Sequence, residues 1–261
     1  LHYTAAALSF MLKNLSKPVV LLGSQRSSDR GSADGYLNLI CGAYTAISDI
    51  SEVVVVMHGT INDDYCLINR GTKIRKMHTS RRDAFRPINN LPIGKIWKNG
   101  KIEIINKDYR TRSNNEIILD TKMENKVSII KIFPGSQPEI LNYYLEHDYK
   151  GIIIEATGLG HVPLGEINWL PKIKELIKNN VTIAFASQTV YGRLHPFVYE
   201  PARNLWKAGV IYLEDMMSEV AYVKLSYVLG HTQNKEEIKK MMLTNLSGEI
   251  TEKSDVDTFL Y

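Results

Sequence analysis

The stretch PVVLLG at residues 18–23, followed by SQRSSDRGS at 24–32 and VVVVM at 53–57, decides how the chain is read. An apolar run ended by glycine is the pattern of a strand buried on both faces of a parallel sheet, where neither face meets water. The polar loop leads into a helix, with Ser32 as its predicted cap, that runs to Ile50 and turns Leu37, Ile40, Cys41, Tyr44 and Ile47 to the core. Strand, helix and strand in that order predict the alternation of a doubly wound sheet with right-handed crossovers.

Working outward, LHYTAAALSFMLKN at residues 1–14 keeps near-helical apolar spacing but has no capping side chain ahead of Leu1. The expectation is therefore a chain cut from something longer. Residues 63–106 read as short alternating strands, with a type I′ hairpin predicted at Asn99-Gly100. The polar segment 109–126 is the predicted linker. Beyond it the alternation resumes, with strands at 127–133, 151–156 and 181–186 and helices at 139–147, 169–179, 198–207, 219–229 and 235–243. The reading is an α/β protein of two α/β domains, parallel sheets flanked by helices, at residues 1–108 and 127–261, the first domain incomplete.

Composition narrows the function classes. With 32 basic and 28 acidic residues the net charge is +4, too small a difference to announce nucleic acid by itself. The longest apolar runs fall far short of the roughly 20 residues that span a bilayer, so no membrane segment is expected. Cys41 and Cys66 sit in apolar patterns and read as buried thiols of a reducing compartment, and no two histidines have metal-ligand spacing. A cytoplasmic protein follows as the expectation.

In open parallel sheets ligands bind beyond the carboxyl ends of strands, which directs attention to the loops after Gly23, Met57, Ala156 and Ala186. Ser24 to Arg30 presents hydroxyls, an amide and guanidinium groups, and reads as a ligand loop or as a solvated turn. Residues 70–86 carry seven basic side chains against one acid, Asp83, and read as a phosphate or RNA site or as a wet loop. Within that run Lys76 could act as a base if it were desolvated beside a threonine hydroxyl and a carboxylate. The loop TGLGHVP at 157–163 allows close backbone approach to a ligand, with His161 equally a packed loop histidine. Glu214, Asp215 and Glu219 are explained by capping of the helix that follows; Tyr222 and Tyr227 read as core.

Taken together, PVVLLGSQRSSDR (18–30), VVVVMHGT (53–60), RKMHTSRRDAF (75–85), TGLGHVP (157–163), ASQTVYGR (186–193), EDMMSEVAYVKLSYVLG (214–230) and NLSGEITE (245–252) resemble the asparaginase/glutaminase family. Within it they are most similar to the archaeal branch whose members serve as the glutaminase components of tRNA-dependent amidotransferases. The resemblance covers essentially the whole chain. It implies an asparaginase-like fold and a threonine nucleophile assisted by a Thr-Asp-Lys group, which forms an acyl-enzyme and releases ammonia. Lys76 matches the lysine of that group and keeps the family's spacing to Phe85; Ser24 stands where the family's loop offers a backbone contact to the substrate. The nucleophilic threonine and the Thr-Asp pair have no counterpart among these residues, so the chain alone is expected to be inactive.

The resemblance further implies that glutamine is hydrolysed to supply ammonia for converting Glu-tRNA(Gln) to Gln-tRNA(Gln). No cofactor would be bound by this chain; ATP and Mg would be used by the E-type partner of such amidotransferase complexes, which also brings tRNA(Gln). A homodimer with sites completed across the subunit contact is expected, with Glu200 a candidate for a crossing residue. Two alternatives stand beside this reading: a free L-asparaginase, and a scaffold without catalysis.

Overall fold

The computed structural model describes residues 1–261. The chain forms two compact units, Leu1–Asp120 with Asp255–Tyr261, and Thr121–Ser254.

The first unit begins with α1 (His2–Met11), β1 (Leu12–Lys13), β2 (Val19–Leu21), α2 (Gly35–Ala46) and β3 (Val53–His58). It continues through β4 (Cys66–Arg70), β5 (Ile74–Lys76), β6 (Phe85–Pro87), β7 (Gly94–Ile96), β8 (Ile102–Ile104) and β9 (Ile118–Leu119). Its main sheet has the order β2-β3-β4-β7-β8, and only β2 and β3 run parallel. The reason lies in loop length. The connection from β2 to β3 holds the whole of α2, whereas β3 and β4 are joined by residues 59–65, too few for a crossover. Every residue of β3 is buried, with Val54 and Val56 against the α2 side and Val53, Val55 and Met57 in the cluster that holds Ala5 of α1. Burying each such valine contributes about 1.5–3 kcal/mol.

Three local expectations are corrected here. β2 is half-buried rather than enclosed on both faces, because in this chain it lies at the edge of the sheet. α2 starts at Gly35 after Asp34 and stops at Ala46, leaving Ile47 exposed; Ser32 does not cap it but accepts a hydrogen bond from Arg26 Nη1 at 2.6 Å. The β7–β8 hairpin is not type I′. Gly100 alone takes a positive φ, of 83°, while its amide bonds Trp97 O at 2.9 Å and the Trp97 amide bonds Lys101 O at 3.0 Å. That is a type I turn closed by a glycine bulge, which needs left-handed backbone at one position only.

Residues 109–120, expected to form a linker, are strapped to the first unit. β9 pairs antiparallel with β1, Lys13 meets Asp120 at 2.7 Å, and the Arg110 amide reaches Glu52 Oε1 at 2.9 Å. Residues 255–261 also group with the first unit and not with the second. Polar composition suggested a free segment, but long-range pairing uses its backbone groups.

The second unit is built from β10 (Val127–Lys131), α3 (Ile140–Glu146), β11 (Gly151–Ala156), α4 (Leu170–Lys178) and β12 (Thr182–Ser187). It finishes with α5 (Glu200–Lys207), β13 (Ile211–Tyr212), α6 (Ser218–Leu229) and α7 (Lys235–Leu243). Its sheet, β10-β11-β12-β13, is parallel throughout, as the alternation predicts. Trp169 is fully buried in the core and donates its indole N–H to Ser136 O at 3.2 Å, so its polar end is satisfied. α6 packs directly on β11: a Cβ on Gly151 would lie 2.7 Å from Leu225 Cδ2. Below it Lys224, with no exposed surface, meets Glu249 Oε1 at 2.6 Å and donates to the carbonyls of Met242 and Thr244. The two-residue β13 escaped the sequence reading because nothing periodic fits in so short a run.

Candidate functional site

The loop after β2 is organised from within by one carboxylate. Asp34 is fully buried, and its oxygens accept the backbone amides of Gln25 at 3.0 Å and Arg26 at 2.9 Å, with the Ser24 hydroxyl at 3.3 Å. A short acceptor at the start of a helix thus curls the preceding loop back over itself. Gly35 leaves the room this needs, since a Cβ there would stand 2.8 Å from Ser24 Oγ. Ser24 itself is exposed, and its own peptide groups have no internal backbone partner.

One turn along α2, Asn38 extends the arrangement. Its amide donates to Gly23 O at 2.8 Å and Asp34 Oδ2 at 3.2 Å, and its Oδ1 faces His58 Nδ1 at 2.6 Å. His58 ends β3 with no exposed surface, and its Nε2 meets Asp63 Oδ1 at 3.1 Å. Asp63 in turn accepts from Arg82 Nη1 at 2.7 Å, and Arg82 also donates to Ile61 O. The hydrogen bond from His58 holds the Asp63 carboxyl below its ordinary range; desolvation opposes it and the Arg82 charge reinforces it.

Arg82 belongs to the basic run, whose ends pair as β5 and β6. Lys76 and Phe85 are register partners in that hairpin, and the Met77 amide bonds Ala84 O at 2.7 Å. Asp83, buried among the basic residues, takes both forks of Arg81 at 2.8 Å and Arg86 Nη2 at 2.6 Å. The Arg81 hydrogen bonds lower its carboxyl below the usual value, against desolvation and with help from the charge of Arg86. Arg86 also reaches Gly59 O at 3.2 Å. Much of the basic run therefore braces itself, with Asp83 as its internal counter-ion, and is not a free phosphate cradle. Lys76 differs: its ammonium is exposed and makes no hydrogen bond or ion pair.

The other sequence candidates serve the second unit. The loop 157–161 closes on itself, with Thr157 N to His161 O at 3.0 Å and His161 N to Thr157 O at 2.9 Å. Gly160 has φ +108°, and a Cβ there would lie 2.4 Å from the Tyr212 ring, so only glycine fits. His161 packs edge-on to Tyr199 with centroids 5.4 Å apart. Glu219 lies in the first turn of α6, where its charge suits the helix dipole, but no side chain caps that end, and its neighbours serve elsewhere. Glu214 pairs with Arg193, and Asp215 accepts the Thr251 amide at 3.0 Å and its hydroxyl at 2.6 Å. Cys41 and Cys66 are free and buried, as their apolar settings predict. No helix is long and apolar enough to cross a membrane.

Sequence reasoning missed Asp34, Asn38, His58 and Asp63. One signal was present: His58 ends an otherwise apolar strand immediately before Gly59-Thr60, at a carboxyl end where polar side chains gather.

A mixed sheet followed by a wholly parallel one, with polar loops at the strand ends, defines an asparaginase-type architecture, and two family models match it. Asparaginase, N-terminal covers residues 1–110, and the Glutaminase/Asparaginase C-terminal domain covers 126–242. The chain belongs to the asparaginase/glutaminase family. The thermostable L-asparaginase from Thermococcus kodakarensis is 32% identical with a TM-score of 0.88, over 97% of this chain and 74% of that one. L-asparaginase I from Vibrio cholerae is 28% identical with a TM-score of 0.82, over 96% and 72%.

Greater identity is found elsewhere in the family. The D component of glutamyl-tRNA(Gln) amidotransferase from Pyrococcus abyssi is 57% identical over 258 residues, 99% of this chain, and that of Methanobrevibacter smithii is 49% identical over 262. The chain spans 58% and 59% of the length of these two relatives.

Proposed function

We propose that this chain is the greater part of the amidohydrolase body of the D component of a glutamyl-tRNA(Gln) amidotransferase. In this reading the whole protein hydrolyses glutamine and passes ammonia to a partner, the E component, which uses ATP and Mg to convert Glu-tRNA(Gln) to Gln-tRNA(Gln) in the cytoplasm. The observation that carries it is the identity of 57% to such a component, compared with 32% to a free asparaginase of closely similar fold.

The chemistry assigned to these residues is limited. Lys76 draws the proton from a threonine hydroxyl supplied, with its aspartate, by residues other than these 261. The exposed and unpaired end of Lys76 is free to take that role once those groups surround it, as the neutral amine whose lone pair receives the hydroxyl proton. Ser24 offers its peptide group to the substrate, a role supported by the Asp34 bonds that fix the loop while leaving that group unused. The chain itself binds no cofactor in this reading, and a homodimer completes each site.

The test is to express the complete reading frame with the E component and to measure ammonia release from glutamine and amidation of Glu-tRNA(Gln). Both are expected. Hydrolysis of asparagine without the partner, and no tRNA amidation, would favour the free asparaginase; no hydrolysis of either amide, even with partner and charged tRNA, would favour the scaffold.

A further inference from the structure

Asn38 spends both amide hydrogens, on Gly23 O and Asp34 Oδ2, which leaves its Oδ1 as the group facing His58. His58 Nδ1 must therefore carry a hydrogen, and the 2.6 Å separation is a donated bond. The other ring nitrogen faces a carboxylate, Asp63 Oδ1, at 3.1 Å, and Asp63 faces Arg82 at 2.7 Å. A buried ring thus joins the loop that presents Ser24 to the hairpin that presents Lys76, beside the apolar contact of Met57 with Ile74, Ala84 and Phe85. The hairpin's other hydrogen-bonded tethers, Arg82 to Ile61 O and Arg86 to Gly59 O, reach the loop after β3 and do not reach α2.

We infer that His58 is a positioning residue: it couples the Ser24 loop, through Asn38 and Asp34, to the Lys76 hairpin, through Asp63 and Arg82. The inference deepens the proposed glutaminase site and rests on that reading for its catalytic consequence. A base must sit within hydrogen-bond reach of the proton it takes, and the substrate loop must hold the amide in matching register. The buried Ile74, Ala84 and Phe85 anchor the base of the hairpin on β3, and His58 adds a directional link between its connecting segment at Arg82 and the Ser24 loop. His58 is suited to this because its two nitrogens point in opposed directions from a ring with no exposed surface. Neither amide side chain does the same. An asparagine can replace the donor toward Asn38 and a glutamine the donor toward Asp63, but each reaches one partner only.

The test uses the complete protein with its partner and the variants Asp63→Ala, Asp63→Asn, His58→Asn and His58→Gln. Asp63 is exposed, so its variants should fold even if changes at the buried His58 do not. Hydrogen exchange of residues 23–34 is measured first. Asp63→Ala should raise exchange there although Asp63 does not touch that loop, and Asp63→Asn, whose amide can meet the ring nitrogen as acceptor or as donor, should restore protection. In glutamine hydrolysis Asp63→Ala, His58→Asn and His58→Gln should lower kcat by about threefold to a hundredfold, the range expected of small misplacements, with KM changed far less. Asp63→Asn should recover most of the rate. Wild-type exchange at 23–34 in Asp63→Ala would overturn the coupling. Equal loss in Asp63→Ala and Asp63→Asn would overturn it too, by making the charge matter and not the link. Absence of hydrolysis by the wild-type protein would instead defeat the proposed function, while the exchange data still decide the coupling.

Discussion

Asp34 and Arg26 are joined across the loop after β2 by a 2.9 Å bond from the Arg26 amide to a carboxylate with no exposed surface. Because the same carboxylate also holds the Gln25 amide and the Ser24 hydroxyl, the loop's shape depends on one side chain. Asp34→Ala should cost about 2–4 kcal/mol, since several donors lose a charged acceptor in a site water reaches poorly. Urea denaturation measures this, and a loss below about 0.5 kcal/mol, the size of an ordinary surface change, would show that the loop stands without Asp34.

Lys76 presents the opposite case, an exposed side chain without partners. In the complete protein Lys76→Ala should reduce glutamine hydrolysis by about a hundredfold or more, the usual contribution of a positioned acid or base. Stability should stay within about 0.5 kcal/mol. Near-normal turnover would remove Lys76 from the mechanism.

Asp83 gives the basic hairpin a dependence on pH. Its folded value lies below the ordinary one because of the Arg81 bonds, so the protein's stability includes a contribution that is present above the unfolded carboxylate value. That contribution disappears as pH falls through the lower folded value. Asp83→Asn should therefore be less stable than wild type at neutral pH, with the gap closing below about pH 4. A gap that stays constant from neutral to strongly acid pH in urea titrations would contradict the assignment.

The buried pair Lys224 and Glu249 should resist replacement by apolar residues. Removing Lys224 alone leaves a buried carboxylate unpaired and should cost about 3–5 kcal/mol. Many buried pairs can be exchanged for hydrophobic residues without loss, but here the ammonium also serves the carbonyls of Met242 and Thr244. The carboxylate also serves the amides of Leu246 and Ser247. Lys224→Met with Glu249→Leu should remain clearly destabilised in thermal and urea unfolding. Wild-type stability in the double variant would mean those backbone groups find other partners.

Gly160 and Gly31 form a matched comparison. An added methyl at Gly160 meets Tyr212 at 2.4 Å on left-handed backbone, whereas nothing lies within 4 Å at Gly31. Gly160→Ala should destabilise by about 1–3 kcal/mol, the cost of overpacking, and more if the backbone strain is not relieved. Gly31→Ala should be close to neutral. Equal midpoints for the two variants would show that the loop relaxes around the methyl.

The sequence by itself determined the elements whose signal is local. The runs 53–56 and 152–154 mark strands because consecutive branched apolar residues suit a sheet covered on both faces, and the structure places β3 and β11 there. The period of 235–243 gives α7, and the Lys76–Phe85 spacing becomes a register pair in a hairpin. Only the tertiary structure decided that β4 returns antiparallel, that residues 109–120 are strapped down, and that the basic run carries its own counter-ion. It alone joined Asp34, Asn38, His58, Asp63 and Arg82, which span 49 positions of the chain. Hydrophobic periodicity repeats along the backbone and can be read from neighbours. A hydrogen bond is directional and a few ångströms long, so its partner is settled only when distant segments have folded into place.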